Sequence, residues 1–128
     1  MTRQLSFKMH QREVEPHYRI QIDAAESTED VRKFFERTAV DFLRRAVGDQ
    51  IEVQPDDVVF EPESTSGYIL SPRMAENQDF VDIHDQSDLP HILALLSDRA
   101  VGRYRYLIRK HPDKTEMKIF QVPGPRRT

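Results

Sequence analysis

Two stretches of this chain bring together side chains that can do chemistry. The first is Asp82-Ile83-His84-Asp85, followed by Gln86-Ser87-Asp88 and then His91. Imidazole and carboxylate are donors for zinc and other divalent cations. Asp82 and His84 share a face if their segment is extended, because side chains alternate along a strand. His91 falls in the first turn of the helix that follows. Asp82, His84, Asp85 and His91 are therefore the candidate metal ligands of a small metal-assisted enzyme. Their spacing matches no metal-site template. A solvated acidic loop, with Ser87 or Asp88 capping a helix, accounts for the same residues.

The second stretch is Arg103-Tyr104-Arg105-Tyr106-Leu107-Ile108-Arg109-Lys110-His111. Aromatic and basic residues in alternation suit nucleic acid, by stacking on bases and pairing with phosphates. Read as a strand, the segment puts Arg103, Arg105 and Arg109 on one face and Tyr104, Tyr106 and Ile108 on the other. The tyrosines then line the core. What remains is a sequence-blind contact through Arg103, Arg105, Arg109, Lys114 and Lys118, with nucleic acid or with a protein partner. His10 and His17 form a third, looser pair. They flank an expected hairpin and can meet on its polar face.

Other chemistries lack their residues. The chain has no cysteine, which removes disulfides, thiolate metal sites and a cysteine nucleophile. No G-x-S-x-G turn presents a serine. Gly48, Gly67, Gly102 and Gly124 are too far apart for a phosphate-cradling loop, so no cofactor is expected. The longest apolar run, Ile92-Leu93-Ala94-Leu95-Leu96, is too short to cross a bilayer. The first residues hold no apolar stretch resembling a signal peptide. These features, with the missing cysteines, lead to the expectation of a soluble cytoplasmic protein.

The net charge of −3 conceals an uneven distribution. Residues 1–55 carry 9 basic and 10 acidic side chains, residues 56–98 carry 1 and 10, and residues 99–128 carry 9 and 2. Such a split marks an interaction surface, or two segments that neutralise each other on folding.

The elements that position these groups follow from periodicity. Leu5, Phe7 and Met9 alternate with polar residues, as do Tyr18, Ile20 and Ile22 after Pro16; this pattern predicts an antiparallel hairpin. Ser27-Thr28-Glu29-Asp30 opens a helix over 28–47. Its stripe runs Val31, Phe34, Phe35, Ala39, Phe42, Leu43, Ala46 and Val47. That stripe is read as core, although three phenylalanines also suit an apolar ligand groove or a dimer contact. Glu29–Lys33 and Asp41–Arg45 are favourable pairs, and Gly48 is the stop. Val58–Phe60 is a short strand. Residues 61–79 are ambiguous, with Tyr68–Leu70 as one strand candidate, and 80–83 is another short strand. A second helix, capped by Ser87 or Asp88 with Pro90 in its first turn, ends at Gly102. Residues 104–110 and 115–122 close a C-terminal hairpin around His111-Pro112-Asp113-Lys114, and 123–128 fray.

With 128 residues, the chain is the size of one domain, here 1–122 plus the tail. The expected architecture is α+β, a mainly antiparallel sheet with two helices packed on one face, in the order ββαβ(ββ)αββ. The leading functional expectation is a non-enzymatic interaction module, a regulator, inhibitor or assembly factor. It binds a protein partner, or a second copy of itself, through a charge-polarised surface. Nucleic-acid binding and the metal-assisted enzyme are the alternatives.

Overall fold

The computed structural model describes residues 6–110. Along the chain lie α1 (Lys8–Ala24), α2 (Thr28–Val47), a 3-10 turn (Pro55–Asp57), β1 (Val58–Phe60), β2 (Tyr68–Leu70), α3 (Pro72–Ala75), α4 (Gln78–Asp85) and α5 (Leu89–Lys110). The expected sheet-based α+β architecture is overturned. Among the described residues there are five helices and a single antiparallel pair, in which Val58 faces Leu70 and Phe60 faces Tyr68.

α2 forms where its periodicity places it. The Ser27 hydroxyl accepts the Asp30 N–H at 3.1 Å. Glu29 and Asp30 sit at the positive end of the helix dipole, and Arg44 and Arg45 at the negative end. Phe35 and Phe42 are fully buried in the core, and Phe34 packs against it partly buried. Gly48 closes the helix, donating its N–H to the Arg44 carbonyl at 2.9 Å. Asp41 pairs with Arg45 at 3.2 Å, whereas Lys33 makes no ion pair with Glu29.

Four expected strands are helical instead, the two of the first hairpin among them. The first hairpin is α1, a single helix with Pro16 inside it. The physical cause is that α1 is apolar on two opposite sides. Val14, Tyr18 and Ile22 are buried, while Met9 and Ile20 are exposed. Tyr18, Ile20 and Ile22 therefore alternate between two faces of a helix and imitate the alternation of a strand. The segment 104–110 is likewise the last two turns of α5, which runs through Gly102 without interruption. A Cβ at Gly102 would meet nothing within 4 Å, so this glycine is no stop. Residues 80–83 belong to α4, opened by the Asn77 side chain accepting the Phe80 N–H at 3.0 Å. The expected strand 115–122, its turn 111–114 and the tail 123–128 lie outside the described residues.

α1 and α2 run antiparallel, joined by the short turn at Ala25–Ser27. α5 runs parallel to α1 and is tied to it at three levels. At the N-terminal ends, the Asp88 carboxylate accepts the Phe7 N–H and the Ser6 hydroxyl, both at 2.9 Å. Midway, the buried Tyr18 hydroxyl donates to the Leu96 carbonyl. At the C-terminal end of α1, Arg103 donates twice to the Ala25 carbonyl, at 2.7 and 3.1 Å. A helix leaves its last carbonyls unpaired, and a guanidinium there satisfies one of them.

The β pair covers one side of the α2–α5 contact. Phe60 inserts its ring between Phe35, at 5.5 Å, and Tyr104, at 5.9 Å. Its backbone N–H donates to Glu36 at 2.8 Å and its carbonyl accepts from Arg32 at 2.9 Å. Two side chains of α2 thus close the strand edge that β2 does not pair. Gly67 brings the hairpin loop onto α5. It has φ +86°, and the Ser97 hydroxyl beside it donates to the Ser66 carbonyl at 2.7 Å.

Candidate functional site

At about 100° per residue, Met9, Pro16 and Ile20 fall within about 40° of one another on α1, with Val14, Tyr18 and Ile22 centred about 180° away. The inner stripe is buried among α2 and α5. The outer stripe is not covered by any of the described residues: Met9 is 72% and Ile20 67% exposed. Leu95 and Tyr106 on α5 are also exposed. Of the exposed large hydrophobic residues among those described, only Ile69 lies off these two helices.

A groove flanks the stripe on either side. Between α1 and α5 a shallow depression of about 510 Å³ is bordered by Leu95, Gly102 and Tyr106, with Glu15 and Asp23 opposite. Between α1 and α2 lies a larger one, about 710 Å³, with Val14, Val40 and Pro55 along its apolar lining. That volume is in the range of ligand pockets. Its acids are already engaged. Glu13 sits 3.1 Å from the His10 ring nitrogen and 3.2 Å from Arg45, and Asp41 also pairs with Arg45. Hydrogen bonding from His10, and then from Arg45, holds the Glu13 carboxyl below its ordinary value. Glu36 pairs with Arg32 at 3.5 Å. Among the described residues the groove cations Lys33, Arg37 and Arg44 have no acidic partner; there Arg44 donates only to the Val53 carbonyl, at 3.0 Å. Thr38 lines the same groove, and its buried side chain makes no hydrogen bond among the described residues.

The sequence-predicted residues are dispersed by the helical reading. Asp82, His84 and Asp85 lie on α4, where Asp82 and His84 are about 200° apart rather than on one strand face. Asp82 accepts from Gln78 at 2.8 Å, and the His84 ring stands 3.4 Å from Asp85 and stacks obliquely on Phe80 at 5.6 Å. His91 is exposed in the first turn of α5. Among the described residues no three histidine, aspartate or glutamate side chains are grouped to hold a metal ion. The nearby Ser87 hydroxyl accepts the Leu89 N–H at 3.1 Å, the capping role expected of this segment.

On α5 the three arginines no longer share one face: Arg105 and Arg109, four residues apart, stay together, and Arg103 points about 120–160° away from them. Arg103 is occupied with Ala25, and its guanidinium also lies 4.8 Å from the centre of the Tyr106 ring. Arg105 and Arg109 are exposed. Tyr104 is in the core and Tyr106 at the surface, so the two tyrosines do not share a face. Lys114 and Lys118 lie outside the described residues. His10 and His17, seven residues apart, occupy one side of α1 instead of opposite strands.

Sequence reasoning overlooked the outer stripe and the α1–α2 groove. The signal was present: Met9, Pro16 and Ile20 recur at i, i+7 and i+11. It was absorbed into the strand pattern. No helix among the described residues is long and apolar enough to cross a membrane. No family model matches this chain, and neither a curated protein nor a solved structure matches it.

Proposed function

We propose that this domain is a non-enzymatic interaction module that binds a protein partner, with α1 as its docking element. One observation carries the reading. α1 is apolar on two opposite faces, and its own core covers only one of them. An interior face is explained by folding. An exposed Met9–Pro16–Ile20 stripe gains nothing from it, and apolar surface left in water is a characteristic of interfaces. Methionine at such a surface adapts to varied partners. Polar groups border the stripe, as the rim of an interface requires.

Site-specific photocrosslinking in cells tests the proposal. A photoreactive residue replacing Ile20 forms a discrete crosslinked species with a second polypeptide. The same residue at Glu63, exposed on the far hairpin loop, does not form it. Identical crosslinking patterns at the two positions overturn the proposal.

A further inference from the structure

We propose that the groove between α1 and α2 receives an acidic segment of a protein partner, with carboxylates on Lys33, Arg37 and Arg44 and an apolar side chain against Val14 and Val40. This inference rests on the reading of the domain as a protein-interaction module and assigns the chemistry of its partner.

The charge balance carries the argument. Every acid in the groove is already paired with a cation, Glu13 and Asp41 with Arg45 and Glu36 with Arg32. Among the described residues three groove cations are left over, in a chain whose net charge is negative. A guanidinium or ammonium without a counter-charge is hydrated, and a partner carboxylate offers it a charge-assisted hydrogen bond. The spacing is also particular. Lys33, Arg37, Val40 and Arg44 recur at i, i+4, i+7 and i+11, so they form one row along α2 about 16 Å long. That row matches three turns of an amphipathic helix, whose apolar residue meets Val40 between flanking acids. Thr38 is buried in the lining, and among the described residues its hydroxyl has no hydrogen-bond partner. A ligand carboxylate or carbonyl supplies the acceptor it lacks.

Nucleic acid fits this groove less well. The lining alternates cations with Val14, Val40 and Pro55, and its one aromatic ring among the described residues is the His17 imidazole, too little for successive bases to stack on.

The test uses fluorescence anisotropy with a labelled helical peptide bearing glutamates spaced i, i+4 and i+11 around a leucine at i+7. The expected results are micromolar binding that weakens as salt rises, and at least tenfold weaker binding to the Lys33→Glu/Arg37→Glu variant. Both positions are exposed, so the variant keeps the fold, which circular dichroism confirms. Thr38→Val weakens binding without altering the salt dependence. Equal affinity for a glutamate homopolymer of the same length shows a response to charge alone and overturns the proposal. Tighter binding of a single-stranded oligonucleotide overturns it as well. A peptide that fails to bind, while crosslinking from Ile20 persists, removes this site and leaves the docking role of α1 intact.

Discussion

Asp57 shows how much of this fold hangs on single side chains. It is 1% exposed, at the junction of the 3-10 turn, β1 and α3. Its carboxylate accepts the Gln54 N–H at 2.6 Å, the Ser71 hydroxyl and the Arg73 guanidinium. Burial alone would raise its pKa, but these hydrogen bonds and the Arg73 charge outweigh burial and hold it below 3.8. A carboxyl whose folded pKa is depressed stabilises the protein above its unfolded value, and that contribution is lost as pH falls through the folded one. Asp57→Asn is therefore expected to cost about 2 kcal/mol at neutral pH, with the deficit narrowing below about pH 4. Urea unfolding of both proteins across that range measures it. Gly67 is the second sensitive residue. A Cβ there would lie 2.1 Å from the Ser97 hydroxyl, on a backbone with φ +86°. Gly67→Ala should lower stability by about 1–3 kcal/mol by forcing the hairpin loop off α5.

Among the elements, legibility followed how many faces each helix buries. α2 has one apolar stripe and one charged face, and its span, its Ser27 cap and most of its core residues could be read directly; buried Val40 lies outside the stripe, and Phe34 and Ala46 are only partly buried. α1 has two apolar stripes, and α5 ends in a buried Tyr104 beside an exposed Tyr106. In both, a second apolar position two residues along produced the pattern of a strand. Pro16 and Gly102 reinforced the error, because each usually marks a boundary. Here both lie on solvent-facing sides, where a helix can run through them at a cost in stability. The metal and nucleic-acid candidates were placed by strand geometry; on helices Asp82 and His84 part, and Arg103 parts from Arg105 and Arg109, which stay on one face. The helical reading of α1 has a sharp consequence. Pro16→Ala restores a backbone donor inside a helix and should stabilise the protein by about 1–3 kcal/mol, read from thermal or urea unfolding. A hairpin turning near Pro16 would gain nothing. Arg103→Met, which leaves the Ala25 carbonyl without its donor, should cost about 1–2 kcal/mol.

At the scale of the whole molecule, α1, α2 and α5 form the core, and the β pair, α3 and α4 wrap one side of it. Among the described residues nothing covers the outer face of α1, which has a groove on each flank. The core draws its apolar residues from the inner stripe alone, and this separation is the central claim. Urea unfolding of Met9→Lys/Ile20→Lys tests it most directly. The account predicts a stability within about 0.5 kcal/mol of the parent, as for surface positions that the fold does not use. A loss of more than about 2 kcal/mol would place the stripe in the core and contradict the account.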